Sequence, residues 1–196
     1  DLDRASGGVA MGLLGEGITE VIAVTKDNAA PIGIIVRAGQ YPKMSLYKGS
    51  KTAENVAKYG WVTANFVSDS YLYPLYAFSD VAKPDLRKVF VGGTVMQLLC
   101  DADAWMAFTA EVVNETKEAL FVELEPVGSE YCRDQLRPVN RGFNSVIDAT
   151  VHATRYVMDH DPKLRELIEY HLGIVRKCGG ARDQEAAALL RDVCGL

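Results

Sequence analysis

The first two thirds of the chain consist of short apolar runs separated by polar turns, a pattern typical of β-strands. Ile18 to Thr25 is rich in β-branched residues, and the turn signal Lys26-Asp27-Asn28 follows it. The run from Pro31 to Val36 is therefore predicted to be its hairpin partner. Further strands are predicted at Met44 to Tyr47, Trp61 to Val67, Val89 to Leu99, Trp105 to Asn114, and Ala119 to Val127, where Pro126 and Gly128 close the last strand.

One short helix is predicted among these strands, from Thr52 to Tyr59. Ser50 and Thr52 are both candidates for its N-cap, and Gly60 suits a left-handed C-cap. Several strands with a single short helix favour an antiparallel barrel over a parallel βαβ sheet.

After Gly128 the apolar period becomes that of helices. Phe143 to Asp159 carries one apolar and one polar face, and Asp161-Pro162 begins a second helix that ends at Gly179-Gly180. Asp183 to Val193 predicts a third, Ala-rich helix. We predict an α+β chain with a barrel domain over residues 1–128 and a helical subdomain over residues 129–196.

Charge and composition exclude several classes of function. The 196 residues carry a formal net charge of −5 with no long basic run, which argues against a nucleic-acid partner. No signal segment and no apolar run of membrane-spanning length is seen, so no membrane partner is expected. The four cysteines lie far apart without a Cys-x-x-Cys pair. These features predict a reduced, cytoplasmic protein.

Residues for independent catalysis are not recognisable. The three histidines, His152, His160 and His171, do not share a metal-ligand spacing, so no metal site is predicted and solvated or core-edge positions are favoured. No Gly-x-Ser-x-Gly elbow and no Gly-x-Gly-x-x-Gly fingerprint is present, and the catalytic residues stay unknown. Any activity would come from a bound cofactor that the protein orients.

The first turn of the short helix is the strongest candidate for a ligand site. Unpaired N–H groups, the hydroxyls of Ser50 and Thr52, the Lys51 cation and the Asn55 amide could converge there on one phosphate. The alternative is that Ser50 and Thr52 only cap the helix while Lys51 is solvated. For the isolated motif, the capping role is the better prediction.

Two other features allow a ligand but do not require one. Gly33 inside a predicted strand indicates a bulge or a close approach, for which a ligand ring is one candidate. Arg133, Arg137 and Arg141 could hold a second anion, although solvated loop charges are favoured.

Three motifs occur together in this chain. Gly-Ser-Lys-Thr-x-x-Asn opens the short helix after a Pro-x-Gly strand, and a later strand ends in Asn-Phe-Val-Ser-Asp. Their order resembles the FMN-binding split-barrel flavoproteins, whose flavin reductases carry Ser-x-Thr-x-x-Asn at this point. The chain is most similar to the domain-of-unknown-function family 447, whose members share the Asn-Arg-Gly…Val-His-Ala-Thr-Arg run found at Asn140 to Arg155.

The resemblance implies an antiparallel split β-barrel that binds FMN, forms a homodimer with flavin near the subunit interface, and has an unknown small-molecule redox substrate. The implied phosphate ligands are Ser50, Lys51, Thr52 and Asn55. The implied ring contacts are the backbone around Ile32, Gly33 and Ile34, with Asn65 as a polar contact.

Three functions stay open at this stage. An FMN-dependent oxidoreductase of the flavin reductase type is favoured. A non-catalytic flavin carrier that acts through a partner is the first alternative. Related split barrels also bind a deazaflavin or haem, but haem is disfavoured because no well-placed axial histidine is present.

Overall fold

The computed structural model describes residues 12–78, 83–133 and 137–196. The chain forms two compact units. The first unit contains the described residues 12–67 and 83–133, and the second contains residues 68–78 and 137–196. Residues 68–78 thus group with the C-terminal helices, whereas the predicted division after residue 128 placed them with the strands.

The first unit is a closed six-stranded antiparallel barrel with an additional two-stranded sheet. The barrel order is β1-β2-β3-β8-β7-β4, and β5 pairs with β6. The strands are β1 (Gly17–Thr25), β2 (Asn28–Val36), β3 (Lys43–Tyr47), β4 (Trp61–Phe66), β5 (Leu86–Val91), β6 (Thr94–Leu99), β7 (Ala104–Glu115) and β8 (Ala119–Tyr131). The predicted antiparallel barrel is confirmed.

Strand β4 is buried on both of its faces. Val62 and Ala64 point into the barrel core, whereas Trp61 packs on the opposite side with Met96 and Leu98 of β6. This arrangement explains why Trp61 to Asn65 forms a continuous buried run rather than the alternation of a half-exposed strand.

The predicted strand from Val89 to Leu99 is wrong as a single element. It is the greater part of a hairpin, in which β5 and β6 are joined at Gly92 and Gly93. Both glycines have positive φ angles, 58° and 76°, which residues with a side chain rarely adopt. Residues typical of strands stand on both sides of the two glycines, Val-Phe-Val before them and Thr-Val-Met after them, so the pattern predicted one strand and missed the turn.

Strand β8 also extends further than predicted. It continues past Pro126 and Gly128 to Tyr131 and stays paired with β7. The register shifts between Ala107 and Phe108 where Pro126 enters the ladder, because proline cannot donate a ladder hydrogen bond. The strand accommodates the proline at this irregularity instead of ending there.

Helix α1 (Lys51–Tyr59) lies between β3 and β4 in the chain, as predicted. Ser50 is the N-cap, and Gly60 is a left-handed C-cap whose N–H donates to the Val56 carbonyl. The buried residues Ala53 and Val56 join the barrel core. The helix is therefore fixed by local capping at both ends and by one apolar face.

The described part of the second unit contains four helices: α2 (Leu72–Phe78), α3 (Arg141–Asp159), α4 (Pro162–Cys178) and α5 (Ala181–Cys194). The three C-terminal helices confirm the prediction, including the Asp161 N-cap followed by Pro162. Helix α2 was not predicted, because Pro74 and the aromatic residues around it obscure a helical period. A buried hydrogen bond from Ser70 to Asp183, 2.5 Å long, links the segment before α2 to α5.

Within the described residues, no helix combines the length and apolar character needed to cross a membrane.

Candidate functional site

The first turn of α1 has donors that the helix itself does not use. The first helical hydrogen bond runs from Glu54 N–H to the Ser50 carbonyl, and Ser50 Oγ accepts the Ala53 N–H at 3.2 Å. The N–H groups of Lys51 and Thr52 precede these bonds and have no acceptor within the helix. Together with the positive end of the helix dipole, they can receive an anion.

The approach to this turn is open at Gly49. Its φ of 87° is left-handed, and a Cβ built there would have no atom of the described residues within 4 Å, apart from its two chain neighbours. The chain therefore turns sharply from β3 into α1 without covering the helix end at this position. The donor set suits an anion such as phosphate, and none of the described neighbours blocks the position at this glycine.

Lys51 is the exposed cation of the site. Its side chain is 64% exposed, and its ammonium group lies 3.5 Å from Glu54 of the same helix. An exposed pair of this kind contributes little to stability and is easily exchanged for another partner. Lys51 is thus available to a nearby anion.

Thr52 points inward instead of towards solvent. It is only 3% exposed, and its hydroxyl oxygen accepts a hydrogen bond from the Asn28 amide at 3.1 Å. The hydroxyl keeps its own proton to donate. Asn28 begins β2, so this contact places the start of that strand beside the first turn of α1.

Asn55 is committed to the turn between β1 and β2. It is buried, and its amide donates to Thr25 Oγ1 at 3.0 Å and to the Lys26 carbonyl at 2.8 Å. These bonds give it a positioning role: Asn55 holds the β1–β2 turn against α1. Its predicted direct contact with phosphate stays a prediction.

This turn contains residues that sequence analysis did not assign to the site. Lys26 and Asn28 were recognised only as turn-formers, yet Asn55 and Thr52 bring both of them beside α1. The sequence signal for their part in the site was only that Lys26 and Asn28 lie in a turn between two strands that precede the helix. That signal is weak because the partners are more than 20 positions apart in sequence.

Asp27, at the tip of the turn, is fixed from the other side. Its N–H donates to Gln97 Oε1 at 2.8 Å, and its carboxylate accepts from Gln97 Nε2 at 2.7 Å. The hydrogen bond from Lys26, followed by that from Gln97, lowers the pKa of Asp27. The turn thus has a fixed conformation with a positive φ of 52° at Asp27.

The predicted ring-contact segment is part of β2. Ile34 points into the barrel core, whereas Gly33 lies opposite Glu20 of β1. A Cβ on Gly33 would meet Ile18 Cγ2 at 2.9 Å and Glu20 Oε1 at 3.2 Å. The close approach predicted at Gly33 is therefore made by side chains of the neighbouring strand, and a flavin contact by Ile32, Gly33 and Ile34 stays a prediction.

Asn65 is fully buried and belongs to a separate network. Its amide donates to the Ile22 carbonyl at 3.1 Å, and its oxygen accepts the Leu99 N–H at 2.9 Å. These bonds connect β1, β4 and β6 and do not involve α1. The structure gives Asn65 a structural role, and its predicted cofactor contact is untested.

Two of the three arginines considered for a second anion have contacts within the chain. Arg133 lies 3.0 Å from Asp101 and 3.8 Å from Asp103. The Arg137 guanidinium stacks over the Phe143 ring with 2.9 Å between its carbon and the centroid. Arg141 is exposed at the start of α3.

Two family models match this chain. The N-terminal domain described as protein of unknown function (DUF447) matches residues 19–133, and a second DUF447 model matches residues 140–192. These ranges cover most of the chain and include α1 and the β1–β2 turn.

The solved structures to which this chain is similar include one FMN-bound protein and one described as an FMN-binding protein. The FMN-bound DUF447 protein MM1853 from Methanosarcina mazei is 37% identical, with a TM-score of 0.85 over 91% of this chain and 96% of that chain. The FMN-binding protein from Thermus thermophilus with bound p-hydroxybenzaldehyde is 18% identical, with a TM-score of 0.49 over 69% of this chain and 84% of that chain. On its family-model matches and on its identity to the Methanosarcina protein, this chain belongs to the DUF447 family.

Proposed function

We propose that this chain binds FMN and acts as a flavin-dependent oxidoreductase. The observation that carries the proposal is the 37% identity, over nine tenths of the chain, to a family member crystallised with FMN. When bound, FMN would supply the redox chemistry, and the protein would supply binding and orientation. The physiological donor and acceptor are small molecules of unknown identity.

The phosphate of FMN is assigned to the first turn of α1. Ser50, Lys51 and Thr52 would hold it through two main-chain N–H groups, two hydroxyls and one ammonium group. Hydrogen bonds to a charged group contribute roughly 1.5–3 kcal/mol each. Asn55 would act mainly by holding the β1–β2 turn, so that Asn28 supports Thr52.

The isoalloxazine ring is assigned to the outer face of β2. Ile18 and Glu20 now cover Gly33 there, and both are side chains that can change rotamer. A ring lying on this strand would contact the backbone of Ile32 to Ile34, and Asn65 would act through the strands it connects.

A homodimer is part of the proposal. Several large apolar side chains of the barrel unit are exposed, including Phe90 at 75% and Tyr47 at 63%. Phe90 and Val95 lie opposite each other in the β5–β6 hairpin and form one apolar patch. A two-fold axis through such a surface would bury it in both copies. Light scattering of the purified protein measures the molar mass in solution and so distinguishes a dimer from a monomer.

An absorbance spectrum, followed by mass analysis of the chromophore released on heating, tests the cofactor. Oxidised-flavin bands with FMN released support the proposal. A colourless protein that does not take up added FMN would contradict it, and a deazaflavin would be recognised by its own spectrum and mass.

Turnover separates the oxidoreductase from a flavin carrier. The holoprotein is mixed anaerobically with reduced nicotinamide and then with an electron acceptor, and bleaching and recovery of the flavin band are followed. Repeated cycles with any donor–acceptor pair support an enzyme. A flavin that no donor bleaches would instead favour the carrier.

The cytoplasmic location stays a prediction, with which the four free cysteines are compatible.

A further inference from the structure

Two histidines of the helical unit stack on each other. The ring centroids of His152 on α3 and His171 on α4 lie 5.6 Å apart, with their planes at 26°. The Tyr170 ring meets His171 edge-on at 5.3 Å. The contact therefore joins the two longest helices of the chain through rings that can gain charge.

Both rings bury a nitrogen without a partner. The Nδ1 atoms of His152 and His171 have no hydrogen-bond partner among the described residues. Asp148 Oδ2 lies 3.9 Å from His171 Nδ1, close enough for an ion pair but too far for a hydrogen bond. Buried polar atoms are rarely left unsatisfied, so this pair requires an explanation.

The charges around His152 come from both helices. Helix α3 contributes Asp148 one turn before it and Arg155 nearly one turn after it, and α4 contributes His171. Burial lowers the pKa of His152, and His171 and Arg155 act in the same direction, whereas Asp148 opposes them. Within the residues described for α5, no group contributes to this shift.

Asp148 can compensate only one positive charge. It lies 3.9 Å from His171 Nδ1 and also opposes the lowered pKa of His152. A proton on His152 would place a cation in the buried stack beside Arg155, and His171 acts against that proton as well. Like charges at this separation repel, and burial reduces their screening by water.

We propose that the stacked His152–His171 pair is a pH-sensitive contact that stabilises the packing of α3 on α4 at neutral pH and weakens it on acidification. This device is independent of the FMN assignment, because it rests on the helical unit alone.

The direction of the pH effect follows from linkage. Because the pKa of His152 in the folded chain is below its ordinary value of 6.5, the unfolded chain binds the proton first as the pH falls. The free energy of unfolding therefore decreases as the pH drops below 6.5. His152 contributes no further decrease in the free energy of unfolding once it is protonated in the folded chain as well.

A histidine NMR titration of the full-length protein tests the electrostatic premise. Long-range proton–nitrogen spectra follow all three histidines, and the His152 signal is assigned by its absence in His152→Phe. The proposal expects the His152 midpoint below pH 6.5. A midpoint at or above 6.5 would overturn the proposal. If His152→Phe does not fold in sufficient quantity, the His152 signal can be assigned by elimination with His171→Phe and His160→Asn.

Thermal unfolding at about pH 7.5 and about pH 5.5 tests the consequence. His152→Phe keeps a ring in the stack but cannot gain charge, so it should lose much less stability on acidification than the unsubstituted chain. His160→Asn is the matched control, because His160 lies outside the pair and asparagine tolerates its left-handed φ of 57°. Equal acid losses in all three proteins would contradict the proposal.

Discussion

The side-chain amide of Asn55 donates to the main-chain carbonyl of Lys26 across 2.8 Å and thereby holds the β1–β2 turn against α1. The same amide donates to Thr25 Oγ1. Two elements that are about 30 residues apart thus share one buried side chain, and the candidate phosphate site depends on both of them.

Replacing Asn55 by Ala should destabilise the barrel unit. The substitution leaves the Thr25 hydroxyl and the Lys26 carbonyl without their buried donor, which costs roughly 1–3 kcal/mol. Urea unfolding measures the loss. Glu54→Ala, at the exposed neighbouring position, is the control and should change the free energy of unfolding by less than about 0.5 kcal/mol. Equal effects would show that the Asn55 bonds do not hold the turn.

Lys51→Ala combined with Thr52→Ala should weaken FMN binding much more than riboflavin binding. Both side chains are assigned to the phosphate, which riboflavin lacks, so FMN affinity should fall about 10- to 100-fold. Lys58→Ala removes the same charge at the other end of α1 and should leave FMN affinity nearly unchanged. Equal losses for both ligands in the double variant would mean that the phosphate is not held there.

Ser50→Asp separates capping from ligand binding. Aspartate is a good N-cap, so the Ala53 N–H keeps an acceptor and stability should change by less than about 0.5 kcal/mol. Its carboxylate would, however, repel a phosphate at the same turn. FMN affinity should therefore fall while thermal stability is retained. Unchanged affinity would leave Ser50 with the capping role alone.

Ser50→Ala is the complementary substitution. Loss of the cap should cost about 1 kcal/mol, which lowers the unfolding midpoint by about 2–4 °C in a chain of this size. A loss of FMN affinity without this destabilisation would indicate that the hydroxyl contacts the ligand more than it caps the helix.

Gly142→Ala should destabilise the helical unit. A Cβ at this position in α3 would lie 2.4 Å from the Gly179 Cα, and main-chain atoms cannot move aside as a side chain can. Overpacking of this kind costs about 1–3 kcal/mol. Gly173→Ala in α4 is the matched control. Outside its own helix, no atom of the described residues lies within 4 Å of the added methyl group, and the greater helix propensity of alanine should stabilise the chain by about 0.5–1 kcal/mol.

Sequence patterns predicted the parts of the fold that depend on neighbouring residues. Ser50 and Gly60 cap α1 as expected because capping is decided within one helical turn. The Asp161-Pro162 start of α4 is local in the same way. The joined prediction of β5 and β6 shows the limit of this approach, since strand-forming residues on both sides outweighed the two adjacent glycines between them.

The candidate site was only partly predictable, because its geometry depends on contacts between distant residues. Asn55 was identified by its position in a motif, but its partners Thr25 and Lys26 lie about 30 residues earlier. The fully buried position of Asn65 likewise depends on Ile22 and Leu99. No pattern within a short window contains that information.

The attachment of the β5–β6 hairpin has a consequence for the order of folding. The hairpin closes through a two-residue turn and can form early, since its own contacts are local. Its polar links to the rest of the unit are long-range: Leu99 to Asn65 spans 34 residues, and Asp27 to Gln97 spans 70. The first link needs β4 in place, and the second needs the turn between the paired strands β1 and β2. We therefore expect the small sheet to dock on the barrel after these strands have paired.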